Sequence, residues 1–148
     1  MPAKAMPISN AVRTKLKNAR IARLATLDAE GRPHLVPICF VYDAKAFYSA
    51  IDLKPKRVAP KKLARLKNIR RSPQVSLLID EYAEDWTQLW YILVRGAARL
   101  LPKSARDERA RAIRKLKAKY PQYSAGMLAD DAPVIRITVE RITTWGNL

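Results

Sequence analysis

The stretch YSAIDLKPKRVAPKKLARLKNIRR, residues 48–71, decides how this chain folds and where its charge is concentrated. It begins with the apolar pattern of a β-strand, breaks at Asp52, and ends with the pattern of a basic helix. From Lys54 to Arg71 there are nine Lys or Arg residues and no Asp or Glu. The stretch therefore predicts a strand-to-helix junction that carries a dense cluster of positive charge.

The start of this helix carries positive charge where a helix does not favour it. Pro60 suits the first helical turn, because the N–H group that proline lacks is no loss there. Lys61 and Lys62 then lie in the same turn, although the N-terminus of a helix is already partly positive. A bound anion would remove the conflict, since backbone N–H groups and lysines would point at the same oxygens. The sequence favours a phosphate-binding loop, and the alternative is a solvated basic surface.

Length and composition predict one domain, residues 1–148, with one packed core. The chain is 49% hydrophobic, which is enough for a globular interior. Its single cysteine, Cys39, lies in the apolar run LVPICFVY and is expected to be a small buried hydrophobe. Its single histidine, His34, leaves almost no material for a metal site or a histidine-based triad, so no metal is expected.

The formal net charge of +16 calls for an anionic partner. Nucleic acid, a membrane surface and a polyanionic small molecule are the candidates, and charge alone does not choose among them. No stretch approaches the roughly 20 apolar residues of a membrane span, and the N-terminus has no signal-peptide pattern. We therefore expect a soluble, cytoplasmic protein that has no membrane partner.

Hydrophobic patterning and turn signals predict a mostly-β fold with flanking helices. Six strands are expected, at residues 21–27, 33–42, 46–51, 74–79, 86–101 and 134–145. Helices are expected within residues 1–20, capped by Ser9, near 61–71, and near 104–119, capped by Ser104. Tight turns, such as the one at 28–31, join neighbouring strands, and Gly96 is expected to form a bulge. A single antiparallel sheet of this size tends to curl or close into a barrel.

The order of these motifs resembles that of a known family. The segments are ARIARLATLDAEGRPHLVPICFVYD at 19–43, AFYSAIDLKPKR at 46–57, LARLKNIRRSPQVSLLID at 63–80 and DWTQLWYILVRGAARLL at 85–101. Together they resemble the pyridoxamine 5'-phosphate oxidase-related (PPOX-class) split β-barrel flavoproteins, whose members commonly read ATLxxxGxPHxVP near the start. The resemblance is closest to the branch that includes deazaflavin (F420)-dependent proteins. It covers nearly the whole chain.

The resemblance implies a six-stranded antiparallel split β-barrel of the FMN-binding type. It also implies a homodimer with two cofactor sites in clefts between the subunits. The expected function is that of an oxidoreductase that transfers a hydride between FMN or F420 and a small organic substrate. The cofactor carries the redox chemistry in such proteins, and no catalytic residue is assigned.

The resemblance also assigns the cofactor-binding residues. The phosphate would be held by Lys54, Lys56 and Arg57, and the patch would be extended toward a longer anionic tail by Lys61 and Lys62. The tricyclic ring would lie along the backbone of Ser49, Ala50 and Ile51 and would be backed by Val36, Pro37 and Ile38. The facing subunit would supply Trp86 and Trp90, with Trp145 near the same cleft. For these tryptophans, burial in a dimer interface is an equally good interpretation.

Several alternatives remain open at the level of sequence. The surplus of lysines suits the longer anionic tail of F420, but FMN also carries a phosphate. The chain shows no Arg-x-His segment after Trp145, which favours a related reductase over an oxidase of vitamin B6. A non-catalytic cofactor carrier is one rival. A nucleic-acid-binding protein that uses the basic helices is another, although no helix-turn-helix, RNP-like or zinc-finger pattern supports it.

Overall fold

The computed structural model describes residues 8–53 and 63–148 of the chain. These residues form three α-helices and seven β-strands: α1 Asn10–Asn18, β1 Ala22–Leu27, β2 Pro33–Ile38, β3 Val41–Asp43, β4 Ala46–Ala50, α2 Ala64–Arg71, β5 Gln74–Glu81, β6 Trp90–Leu100, α3 Arg106–Lys119 and β7 Val134–Gly146. Trp86–Gln88 forms a turn of 3-10 helix, and Tyr123–Met127 forms a π-helical turn. None of the helices in the described ranges has both the length and the apolarity needed to span a bilayer.

All seven described strands belong to one antiparallel sheet in the order β2-β1-β5-β6-β7-β4-β3. The two edge strands, β2 and β3, follow one another directly in the chain, so the sheet must curl until its edges approach. The prediction of a mostly-β, curled antiparallel fold is therefore confirmed. The strand count is seven rather than six, because the predicted strand at 33–42 is divided into β2 and β3.

The division lies at Cys39 and Phe40, where the chain changes its pairing partner. Ile38 pairs with Ala22 on β1, whereas Val41 pairs with Tyr48 on β4. The backbone of Phe40 pairs with neither strand and instead meets the side chain of Tyr120. The N–H group of Phe40 donates to Tyr120 Oη at 3.0 Å, and that hydroxyl lies 3.1 Å from the carbonyl oxygen of Phe40.

The core has two parts, one on each side of the curled sheet. Inside the curl, large apolar side chains from six strands pack together, and Leu66 and Ile69 of α2 close this cluster. On the outer side of β3 and β4, Ile113 and Leu116 of α3 cover a second cluster. Leu66 and Ile69 lie three residues apart on α2, so one face of this basic helix packs against the core.

Local signals for turns and caps are mostly confirmed. Ser9 Oγ accepts from the N–H of Val12 at 3.2 Å and caps α1. Asp28 Oδ1 accepts from the N–H groups of Glu30 and Arg32, and Gly31 takes a positive φ of 76° in the predicted turn. The register of β6 against β7 shifts between Arg95 and Gly96, as predicted, and a Cβ on Gly96 would lie 2.3 Å from the carbonyl oxygen of Thr138.

Two predicted element starts are wrong. The strand expected from Trp86 begins at Trp90, because Asp85 Oδ1 accepts from the N–H of Thr87 and holds residues 86–88 in a 3-10 turn. Ser104 does not cap α3, which begins at Arg106 after a turn closed by Ala105 N–H and Pro102 O at 3.0 Å. In the described part of the basic helix, α2 begins at Ala64 and ends before Ser72, as Pro73 requires.

Tyr120 and its neighbour Lys119 also join α3 to the end of α1. Tyr120 Oη lies 2.8 Å from the carbonyl oxygen of Arg20, and Lys119 Nζ donates to the carbonyl oxygen of Leu16 at 3.2 Å. The ammonium of Lys119 lies 4.0 Å from the ring centre of Phe40. Burial, together with the nearby charge of Arg20, lowers the pKa of Lys119 to about 8.

Replacing Tyr120 with Phe should lower the free energy of unfolding by about 1–3 kcal/mol, because the buried N–H of Phe40 loses its acceptor. Urea unfolding followed by circular dichroism measures the change. The matched control is Tyr82→Phe, since the Tyr82 side chain is exposed and its hydroxyl donates to the exposed Glu84 at 3.3 Å. Equal losses in the two variants would contradict the role of Tyr120.

Replacing Lys119 with Met should raise stability at pH 7 by about 1 kcal/mol, a figure kept small because solvent screens a half-buried charge. The folded state favours the neutral amine, since its pKa is about 8 against an ordinary 10.5. Below pH 8 the ammonium is charged in both states and folding bears its desolvation; above about pH 10.5 this penalty disappears. The advantage of Met should therefore shrink between these pH values. An advantage independent of pH, or an equal effect of Lys103→Met on the surface, would refute the charge explanation.

Candidate functional site

We refer to residues 54–71 as the basic stretch. Where β4 leads toward it, one edge of β4 has no described strand beside it. β3 pairs with β4 only as far as Tyr48, whereas β7 pairs with Ser49 and Ala50 on the other side. The N–H of Ile51 donates to the carbonyl oxygen of Pro133 at 2.9 Å. Among the described strands, none pairs with Ser49 and Ala50 on the β3 side. These residues, predicted to lie along a cofactor ring, are therefore buried side chains on a partly uncovered backbone edge.

After β4 the chain is held by a hydrogen bond between Asp52 and Tyr123, a pairing that the sequence did not indicate. Asp52 is buried, and its Oδ2 accepts from the hydroxyl of Tyr123 at 2.6 Å. The N–H of Leu53 donates to the carbonyl oxygen of Met127 at 2.9 Å. Burial, the bond to Asp52 and the neighbouring thiol of Cys39 raise the pKa of Tyr123. This phenol therefore stays protonated near neutral pH and holds the start of the basic stretch in place.

The basic stretch re-enters the described structure at the N-terminus of α2. Leu63 occupies the N-cap position and has no side-chain group that caps the helix. Arg65 follows in the first turn, and its Nε is buried without a hydrogen-bond partner in the described residues. Burial lowers the pKa of Arg65, while the charge of Asp52 raises it. The uncapped N-terminus of α2 and the buried Nε of Arg65 thus lie within the basic stretch, and both are suited to bind an anion.

The five cations predicted to hold the phosphate and its extension fall between these two anchors. Lys54, Lys56, Arg57, Lys61 and Lys62 all lie outside the described residues. Pro60, expected in the first turn of the helix, lies outside them as well.

The predicted backing residues lie on β2, the opposite edge strand of the curled sheet. Val36 and Ile38 point inward and pack in the same apolar cluster as Ile51, which directly follows β4. Pro37 is exposed between them, so it faces away from that cluster. The fold therefore brings Val36 and Ile38 to the cluster that contains Ile51, and it directs Pro37 outward.

The three predicted tryptophans occupy different environments at one end of the β5–β6–β7 face. Trp90 is buried in the core of its own chain, and its indole N–H donates to Glu81 at 3.3 Å. Trp86 and Trp145 are 72% and 51% exposed. Trp145 stacks on Tyr91 with ring centres 5.8 Å apart. Trp145 therefore forms an exposed aromatic pair with Tyr91 and Trp86 is exposed, whereas Trp90 contributes to the core.

The structure adds three residues to the predicted site: Asp52, Arg65 and Tyr123. Asp52 had a sequence signal, since it is the acid that directly precedes the basic stretch. Arg65 was visible only as one of nine cations. Tyr123 gave no signal, because it lies 71 residues from Asp52 in the chain. Together the site offers an uncovered strand edge, apolar neighbours and donors for an anion.

Comparison with known proteins identifies a relative with an assigned reaction. The chain is 26% identical over 142 residues to a 5a,11a-dehydrotetracycline/5a,11a-dehydrooxytetracycline reductase of Streptomyces rimosus. The alignment spans 95% of this chain and 84% of the relative. A distant relative of this chain is thus a reductase.

Solved structures share the same fold. A haem storage protein of Vibrio cholerae superposes with a TM-score of 0.71 at 16% identity, covering 95% of each chain. An FAD-binding protein of Mesorhizobium loti superposes with a TM-score of 0.66 at 23% identity, covering 93% of this chain and 94% of the other. Proteins with this fold therefore differ in the ligand that they bind, and the likeness establishes the architecture alone.

The family assignment rests on the sequence as a whole. The family model described as pyridoxamine 5'-phosphate oxidase matches residues 8–146, which include every helix and strand described above. This extent, together with the curled antiparallel sheet, shows that the chain belongs to the pyridoxamine 5'-phosphate oxidase family.

Proposed function

We propose that this protein is an oxidoreductase that binds a flavin-type cofactor, FMN or F420, and exchanges a hydride with a small organic substrate. The observation that carries the proposal is the path of the chain at the site. An uncovered strand edge at Ser49 and Ala50 leads through residues 54–62, with five cations, to the uncapped start of α2. A cofactor with a flat ring and a phosphate would use the strand edge to bind its ring and the cations and helix N-terminus to bind its phosphate.

Charge and helix geometry support the proposal that the cofactor phosphate binds at the N-terminus of α2. The first turn of α2 contains the cation Arg65 and no acid, which is unfavourable for an isolated helix. A phosphate at this N-terminus would accept hydrogen bonds from backbone N–H groups and from the buried Nε of Arg65. The charge of Asp52 counters part of the Arg65 charge.

The edge of β4 that no described strand covers supports the proposal that the cofactor ring binds there. Backbone N–H and C=O groups along a strand edge can bond the polar rim of a ring, while apolar side chains contact its face. Val36, Ile38 and Ile51 provide an apolar neighbourhood. The cofactor itself supplies the hydride chemistry when it is bound. The residues of the chain bind it, orient it and exclude water, and the Tyr123 hydroxyl keeps its proton in a hydrogen bond to Asp52 rather than delivering it to substrate.

The reductase of Streptomyces rimosus supports the reaction class. It is named for reducing a dehydrotetracycline, and the alignment runs through the site region of this chain. We therefore include quinones, enones and polycyclic ketones among the substrates to be assayed with each reduced cofactor. Turnover of any of these substrates by the protein would support the oxidoreductase function. Binding of the cofactor without turnover would instead indicate a cofactor carrier.

Replacing Lys56 and Arg57 together with Ala should weaken FMN or F420 binding at least tenfold, because each charge-assisted bond is worth roughly 1.5–3 kcal/mol. Titration of each cofactor, followed by fluorescence quenching, measures the effect. The control is the double variant Lys103→Ala/Arg106→Ala, which removes the same charge from an exposed region. Unchanged affinity in the first variant would mean that the loop is only a solvated surface.

The rival nucleic-acid function is tested on the same samples. Duplex DNA binding at about 150 mM salt, where charges beyond roughly 8 Å are screened, should be weak. Tight, salt-resistant DNA binding with no affinity for either cofactor would overturn the proposal.

We also propose a homodimer formed through the outer face of β5, β6 and β7. Leu78 and Leu93 pair directly across two strands on this face and are only half-buried. The stacked pair Tyr91 and Trp145 continues the apolar surface, and Trp86 is exposed in the turn that precedes β6. A second copy would cover this surface, and it would bring the exposed tryptophans toward the cofactor site of its partner.

Replacing Leu93 with Lys should shift the protein from dimer to monomer, because the ammonium would be desolvated at the centre of the interface. Sedimentation at micromolar concentration measures the state. Leu35→Lys is the control, since Leu35 is 63% exposed on the distant edge strand β2. A wild-type monomer, or a dimer that survives Leu93→Lys, would contradict the proposed interface.

A further inference from the structure

A second concentration of positive charge lies in a cavity that shares no residue with the site at β4 and α2. The cavity has a volume of about 530 Å³ and lies between α1, β3 and the last turns of α3. We refer to it as the α1–α3 cavity. It is lined by five cations and an apolar wall, and its charged residues are Arg13, Lys17, Arg20, Lys115 and Lys119.

The cations come in pairs that a helix does not favour. Arg13 and Lys17 lie four residues apart on α1, and Lys115 and Lys119 lie four residues apart on α3. Like charges at this spacing face each other on a helix and destabilise it. Here both pairs line the same cavity, so the repulsion is compounded across it. An anion between the two helices would attract the cations of both pairs and offset the repulsion between them.

No acid lines the cavity, and Asp43 offsets the charge of one lining cation, Lys115. All thirteen Asp and Glu residues lie in the described ranges, and none of them lines the cavity. Asp43 stands nearest in effect, since it pairs with Lys115 at 3.3 Å and with Arg111 at 2.5 Å. Arg13 and Lys17 make no side-chain hydrogen bond or ion pair with the described residues.

The other cations are held in place by the fold. A terminal nitrogen of the Arg20 guanidinium donates to the carbonyl oxygen of Lys119 at 2.9 Å, and the guanidinium lies 4.7 Å from the ring centre of Tyr120. Lys119 is fixed by its bond to Leu16. The cavity therefore combines two positioned cations, Arg20 and Lys119, with two, Arg13 and Lys17, that have no partner among the described residues, which is an arrangement suited to a multiply charged anion.

The apolar wall indicates that the ligand is more than an inorganic ion. Leu16 and Val41 are buried at the base of the cavity, and the half-buried ring of Tyr42 lies beside them. A volume of about 530 Å³ is in the range of small-molecule sites, and a concave site of this size admits a small molecule rather than the width of a nucleic-acid duplex. We propose that the α1–α3 cavity binds a phosphorylated small molecule of the nucleoside-diphosphate class, with its phosphates between the helices and its base on the apolar wall.

Titration calorimetry of the full chain with ADP tests this proposal. The test variant is Arg13→Gln/Lys17→Gln, and the control is Lys103→Gln/Arg106→Gln, which removes the same charge outside the cavity. We expect saturable ADP binding that the test variant weakens at least tenfold and the control leaves unchanged. Thermal unfolding should show that the test variant is at least as stable as the wild type, because a repulsive pair has been removed.

Further titrations separate this site from the cofactor site and from simple charge attraction. ADP binding should persist in Lys56→Ala/Arg57→Ala, and adenosine and inorganic phosphate should each bind at least tenfold more weakly than ADP. The proposal fails if ADP does not saturate by about 1 mM, or if adenosine or phosphate binds as tightly as ADP. It also fails if only Lys56→Ala/Arg57→Ala weakens binding. Loss of duplex DNA binding in the test variant without ADP binding would assign the cavity to nucleic acid and overturn the proposal.

Discussion

The hydroxyl of Tyr120 bonds a backbone group that would otherwise be buried without a partner, and the shape of the sheet depends on it. The chain pairs with β1 up to Ile38 and with β4 from Val41. A strand that changes partners must leave some N–H and C=O groups outside both ladders, and a buried group of this kind is costly unless it is bonded. Tyr120 Oη bonds the N–H of Phe40, so the sheet can divide without an unsatisfied donor.

The same division creates the candidate site. Because the chain turns away at Phe40, β3 pairs with β4 only as far as Tyr48, and no described strand pairs with Ser49 and Ala50 on that side. The basic stretch follows at once, anchored by the bond between Asp52 and Tyr123. The uncovered edge, the anchor and the buried donor of Arg65 thus lie along one short part of the chain, and the five cations at 54–62 lie in the same part.

Local patterns predicted the mostly-β fold class, the Ser9 cap, the turn at Gly31 and the bulge at Gly96. The cap and the turn depend on residues close together in sequence, and a glycine inside a strand pattern indicates a bulge even though its partner strand is distant. The apolar run around Phe40 could not show where the strand divides, since the residues on both sides are apolar and the cause lies 80 residues away. A phosphate-binding site in the basic stretch was predicted from the positive charges at the start of its helix. Tyr123 was not, because only tertiary structure brings it to Asp52, and the bonds of Asp85 that shorten β6 were overlooked.

The link between Phe40 and Tyr120 also has a temporal side. A chain emerging from the ribosome exposes Phe40 long before Tyr120 exists, and β4 must wait longer still for its partner β7, whose first residue is Val134. Contacts that span such a distance close slowly, because the intervening loop must first be ordered. The N-terminal strands therefore remain an incomplete sheet with open edges during most of synthesis, and folding is completed only when the last strand has been made.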